Sequence, residues 1–385
     1  MTKFVDFYSK LKYIPTVQGG LTALDFDKRR ILLYQDLGIP IKWCRGKRII
    51  EFGPGGGYNA TTLFRLGPAV YDFVDGMHSE LAILESSLAI AKSNGVEVRF
   101  FQSLFTEFKN NEFYDLVIAE ACIPGQALPL LALESVIGCV QQYGYLVITN
   151  TSKVSLLSEI LRSVIGRLIV NSSLGEEEAI TRCELFFQSH LHTLGAITRS
   201  AHDWVLDNII HDWHHGKSDF SLPEAYAFLS NHGFVYLGGS PLFLRDFTWY
   251  KNPDKEISRS SQFINSQYFE TEILLLDQRL VLTSELFRIL DLKKVGMILD
   301  QSRECFDRAK KYLLSGKPSD LSNLFKTTRK LENLLVHPFE ETKLALEDFN
   351  SIEKQAARNI QNLNLCDFAA WWGRGQQYNS FYRVS

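Results

Sequence analysis

Between residues 48 and 150 the chain alternates short apolar runs with longer amphipathic ones, the rhythm of parallel strands joined by helical crossovers. The runs at 48–52, 70–74, 96–101, 114–119 and 143–149 predict strands, and their continuous apolar character suits strands buried on both faces. Between them, residues 79–93 carry Leu81, Leu84, Leu88 and Ala91 at helical spacing, and Gly95 stops the helix. An apolar run at 234–237, a break at Gly238-Gly239-Ser240-Pro241 and a second run at 243–250 predict a terminal antiparallel hairpin.

More than eighty residues separate Thr149 from Phe234, too many for a simple connection, so a helical insertion is expected at about 151–222. Beyond Asn252 the period becomes helical: Cys305, Phe306, Ala309, Tyr312 and Leu313 share one face, as do Phe349, Ile352 and Ala356. The expected organisation is an N-terminal helical segment (1–44), an α/β domain with the insertion (45–252) and a helical C-terminal region (253–385). A chain of 385 residues exceeds the usual size of one compact domain, in keeping with this division.

The sharpest local feature is Ile49-Ile50-Glu51-Phe52-Gly53-Pro54-Gly55-Gly56-Gly57-Tyr58-Asn59, an apolar strand running into a glycine turn and then a helix. Glycines let a backbone approach a ligand closely. A dinucleotide fingerprint counted from Gly53 requires glycine where Tyr58 stands, which disfavours a nicotinamide or flavin dinucleotide.

This stretch resembles the first motif of class I S-adenosylmethionine-dependent methyltransferases: strand, acid, then spaced glycines, here Glu51, Gly53, Gly55 and Gly57. The resemblance covers about residues 45–150 well and 225–251 loosely. It implies a Rossmann-like seven-stranded sheet, five parallel strands plus a C-terminal antiparallel hairpin, with helical insertion and helical C-terminal region. It also implies S-adenosylmethionine as cofactor. Asp75, with Gly76 and Met77 after it, would accept the ribose hydroxyls; Gln102, Ser103 and Leu104 would line the adenine; Glu120 and Ala121 would face the methyl group; Asn59 sits where the helix begins.

Methyl transfer from a sulfonium is an in-line displacement that depends chiefly on alignment, and a base is needed only where the acceptor must shed a proton. Glu120 is one candidate base, or else a carboxylate that hydrogen-bonds the cofactor or a loop. Six of the nine histidines fall at 190–215, which makes His192 and His202 further candidates, with solvated or core histidines as the plain alternative. Their spacing matches no metal pattern, and no metal is expected. Trp204 and Asn208 lie in a stretch that suits either an acceptor pocket or an amphipathic helix packed on a core. Tyr13 and Gln18 flank Pro15 and either close over the site or link two helices. The segment Trp371-Trp372-Gly373-Arg374-Gly375-Gln376-Gln377-Tyr378 suits either a stacking surface or an anchor for the chain end.

Composition narrows the partners. The net charge is −3, with no long block of one sign, against capture of nucleic acid or anionic membrane. Residues 119–124 also lack the Asn/Asp-Pro-Pro-aromatic run of amino-methylating DNA enzymes. Six scattered cysteines form no Cys-x-x-Cys pair, and no apolar stretch spans a bilayer, so a cytoplasmic protein is expected. The expected acceptor is a small molecule methylated on oxygen or nitrogen. The alternatives are a cofactor-binding scaffold without catalysis and an aminopropyl or aminocarboxypropyl transferase; the C-terminal helices offer a surface for a homodimer or a lid.

Overall fold

Successive side chains along β1 (Arg48–Phe52), β2 (Val70–Asp75) and β4 (Tyr114–Ala119) are buried on both faces, and this burial places these strands inside a seven-stranded sheet. The computed structural model describes residues 22–77, 85–109, 111–170, 175–195, 199–210, 220–243, 248–249, 251, 260–281, 291–355 and 365–384. The other strands are β3 (Glu97–Gln102), β5 (Val140–Asn150), β6 (Phe234–Ser240) and β7 (Gln377–Arg383). The helices are α1 (Ala23–Asp36), α2 (Tyr58–Phe64), α3 (Glu85–Ser93), α4 (Pro129–Ile137), α5 (Leu157–Ile169), α6 (Glu176–His192), α7 (Ala201–Val205), α8 (Leu222–Ser230), α9 (Ser261–Glu272), α10 (Leu292–Ser315), α11 (Pro318–Leu334), α12 (Glu340–Gln355) and α13 (Cys366–Ala370).

The strand order is β3-β2-β1-β4-β5-β7-β6, with the first five strands parallel and β7 antiparallel to both neighbours. This is the expected Rossmann-like seven-stranded sheet, five parallel strands extended by an antiparallel pair. Tyr34 of α1, Leu37 at its C-cap, and Leu63 and Phe64 of α2 pack with Ile49, Tyr71, Phe73, Leu116 and Ile118 into one core cluster. Helix α1 starts cleanly because the Thr22 hydroxyl accepts the Asp25 amide at 3.2 Å.

The expected antiparallel pair forms, with a different second strand. β6 forms, but its antiparallel partner is Gln377–Arg383 from the far end of the chain rather than residues 243–250, of which the described ones form no strand. Nor do Gly238 and Gly239 make a turn; they lie within β6. A Cβ on Gly238 would come within 2.4 Å of the Asp36 carbonyl, and one on Gly239 within 2.6 Å of Asn379 Oδ1. These glycines are there for close approach. β7 carries no apolar run, since its buried members include Gln377, Asn379 and Ser380 beside Phe381. Hydrogen bonds make that burial tolerable: Asn379 Nδ2 donates to Asn150 Oδ1 at 2.9 Å, and the Tyr236 hydroxyl donates to Asn379 Oδ1 at 3.2 Å.

The chain divides into two units. The sheet unit takes residues 1–151, 216–268 and 376–385, and a helical unit takes 152–215 and 269–375. The expected boundaries change accordingly: the insertion shares one core with most of the C-terminal helices, and the last strand belongs to the sheet. The cause is visible in α5, which is buried almost all round and needs partners on every side. α10 packs against it, and the predicted face Cys305, Phe306, Ala309, Tyr312 and Leu313 is buried in the same cluster as Phe349 and Ile352. Ala356 lies outside the described residues.

Trp371 and Trp372 act as anchors, not as a stacking surface. The Trp371 indole donates to the Leu276 carbonyl at 2.8 Å and that of Trp372 to Thr193 Oγ1 at 2.9 Å. The Arg162 guanidinium lies 3.5 Å from the Trp372 ring centroid and donates to the carbonyls of Phe368 and Ala369 at 3.0 and 3.1 Å.

Phe381 ties β7 to its surroundings, fully buried against the rings of Tyr226 and Tyr236. Replacing it with alanine is expected to cost about 3–5 kcal/mol, read as a lower urea midpoint at unchanged slope.

Candidate functional site

The strand tips β1 to β4 bring together all thirteen residues expected to hold a cofactor. After β1 the chain turns through Gly53, Gly55 and Gly57, whose φ values of +66°, +57° and +71° are left-handed. Side chains other than glycine avoid that region. At Gly53 space is short as well: a Cβ would lie 2.8 Å from Cys122 Cβ and 3.3 Å from the Phe105 ring. The turn is tied to β2, since the Gly53 amide donates to the Val74 carbonyl at 2.9 Å, and Gly57 leads directly into α2.

Asp75 closes β2 half-buried, and its Oδ1 accepts the Met77 amide at 2.9 Å. Burial raises its carboxyl above the usual range, a shift that the amides of Met77 and Gly76 oppose. Beyond β3, Gln102 is exposed, the Ser103 amide donates to the Asp75 carbonyl at 2.9 Å, and Leu104 is half-buried. The following turn sends Phe105 and Phe108 edge-on to Phe52, with ring centroids 5.5 and 5.6 Å apart. This aromatic floor was not legible as part of the site.

Two carboxylates are buried beside each other at the tips of β1 and β4. Glu51 accepts the Tyr71 hydroxyl at 2.6 Å. Burial first, then the charge of Glu120, pushes its carboxyl up to about 8, against the opposing pull of Tyr71 and Arg30. Glu120 has a fuller set of partners. Arg30 of α1 grips it with both arms, at 2.9 Å to Oε2 and 2.6 Å to Oε1, and Asn59 Nδ2 adds a bond of 3.1 Å to Oε2. Arg30 and Asn59 together engage both of its oxygens.

Immediately after Glu120 comes Ala121, left-handed at φ +59° although it has a side chain. Its amide donates to Thr149 Oγ1 at 2.7 Å. Cys122 Sγ then contacts the Phe52 carbonyl at 3.3 Å, and burial raises its thiol well above the ordinary value. Arg30, Thr149 and Cys122 are thus site residues that sequence reasoning missed. The available signal for Arg30 was an arginine on the inward stripe of α1, four residues before the buried Tyr34.

His192 is exposed at the end of α6, and His202, also exposed, pairs through Nδ1 with Glu184 Oε1. Trp204 packs in the helical core, its ring centroid 5.5 Å from Phe187. Asn208 Nδ2 donates to the Trp204 carbonyl at 2.9 Å. All four belong to the helical unit. Tyr13 and Gln18 lie outside the described residues, as do His211, His214 and His215.

No family model matches the chain. The ubiquinone biosynthesis O-methyltransferase of Rickettsia canadensis (strain McKiel) is 40% identical over 70 residues, 18% of this chain and 28% of that protein. The chain therefore matches little more than a quarter of that relative's length. Among solved structures, PKMT2 of Rickettsia typhi in complex with AdoHcy is similar over 64% of this chain and 50% of that one, at 15% identity and a TM-score of 0.38. The YcgJ protein of Bacillus subtilis is similar over 66% and 91%, at 17% identity and a TM-score of 0.31.

The raised Glu51 carboxyl carries a pH dependence of definite sign. Its folded value of about 8 exceeds the unfolded one near 4.5, so its contribution is complete below the lower value and is lost as pH rises toward the upper one. Glu51→Gln removes that loss. The stability of the variant relative to the parent is expected to grow between pH 5 and 8 by up to about 1.4 kcal/mol per pH unit, seen in melting temperatures across that range. A constant difference would show a carboxylate ionised throughout.

Proposed function

We propose that this chain is an S-adenosylmethionine-dependent methyltransferase acting on an oxygen or nitrogen of a small molecule. The observation that carries the reading is the pairing of the left-handed glycine turn after β1 with the carboxylate of Asp75 at the neighbouring strand tip. Nucleotide-like ligands need both: backbone without side chains for close approach, and a carboxylate for ribose hydroxyls. The residues present fit that cofactor, because a Cβ on Gly53 would fill the cradle against Cys122. The partial likeness to an O-methyltransferase favours oxygen as the acceptor atom.

When bound, S-adenosylmethionine supplies an activated methyl group. The chain's share would be placement: Gly53, Gly55 and Gly57 would leave room for close approach of the cofactor, Asp75 would orient its ribose, Gln102 to Leu104 would border its base, and the Glu120–Ala121 turn would lie beside its methyl group. Alignment of this kind is worth up to roughly 7–11 kcal/mol. With Glu120 held by Arg30, an acidic acceptor that loses its proton readily suits the site best.

Calorimetry with S-adenosylmethionine and S-adenosylhomocysteine tests the reading. Micromolar binding is expected for the parent, with a loss of about a hundredfold or more in Asp75→Ala and Gly55→Val. A well-folded parent that binds neither compound would end the methyltransferase assignment.

A further inference from the structure

Ala121 occupies a backbone region costly for any residue with a Cβ, and such a conformation persists only where its surroundings over-determine it. The constraints are on both sides. Before it, the Glu120 side chain is held by the two-armed contact of Arg30 and by Asn59; after it, Cys122 is wedged between the Phe52 carbonyl and Gly53. Its own amide is held by Thr149, a residue without measurable exposure.

Arg30 is the one member of this set that comes from α1. It is 6% exposed, which makes the ion pair costly to bury unless its geometry does something that a neutral pair does not. Its planar fork matches both carboxylate oxygens at once, fixing the orientation of Glu120 as well as its charge.

We propose that Arg30 is a positioning residue for the cofactor turn: its fork fixes Glu120, thereby holds Ala121 left-handed, and so seats Cys122 against Gly53. The effect on a ligand rests on the S-adenosylmethionine reading, whereas the effect on the turn does not. Release of the fork frees Ala121 to leave its strained conformation, and Cys122 then moves against the glycine turn that it now abuts.

Two variants separate direction from charge. Arg30→Lys keeps the charge and loses the fork; Arg30→Met with Glu120→Gln removes both charges and avoids a buried unpaired carboxylate. Each is measured by hydrogen exchange at the Ala121 amide and by calorimetry with S-adenosylhomocysteine, with thermal melts to verify folding. The expected result for both is exchange faster by about tenfold and affinity weaker by about tenfold. Adding Ala121→Gly, which accepts the left-handed backbone without strain, is expected to return affinity to within about threefold of the parent. Parent-like protection and affinity in both variants would overturn the proposal, as would failure of the glycine to restore affinity in a folded protein. Should Arg30→Lys not fold, the neutral pair decides alone. If the parent binds no S-adenosylhomocysteine but Ala121 exchange accelerates as expected, the positioning role stands and the cofactor assignment falls.

Discussion

Two acids buried side by side at the tips of β1 and β4 are the constraint around which the candidate site is organised. Unpaired carboxylates in such a place would cost several kcal/mol each, and the chain meets the two by different means. Glu51 stands against a tyrosine hydroxyl with its proton held to higher pH, while Glu120 stays within the grip of an arginine brought from outside the sheet. The second solution makes α1 part of the site, and an arginine on its inward stripe is the one mark of this in its sequence.

Much of the sheet was readable beforehand because parallel strands buried on both faces leave apolar runs. β1 and β4 appear with the expected bounds, and β2 and β3 differ by a residue or so. The strand ends then carry the expected cofactor residues to one edge. What stayed hidden was set by tertiary contact. Asn379 and Gln377 are polar residues at buried positions, and their strand has no apolar signature to find. Gly238 and Gly239 read as a turn because glycine often marks one, yet here they make room for the α1 terminus and Asn379. Arg30 and Glu120 are ninety positions apart, and only the fold puts them in contact.

The helical unit shows the same division. Periodicity identified the inward faces of α10 and α12, since a stripe repeating every three or four residues survives in any surroundings. It did not disclose that α5, from the insertion, is enclosed by helices more than a hundred residues further along. Nor did it show that a buried arginine would fasten α13 by its carbonyls.

The place of β7 also fixes the order in which the sheet can be completed. β5 and β6 have no bonds to each other; each pairs with a strand that leaves the ribosome after the whole helical unit has been made. Until then both present open backbone edges, the feature that makes nascent sheets prone to pair with the wrong chain. Contacts spanning more than two hundred residues also close slowly, because loop entropy must be lost before they form. The early strands and α1 can assemble during synthesis, while closure of the sheet waits for β7.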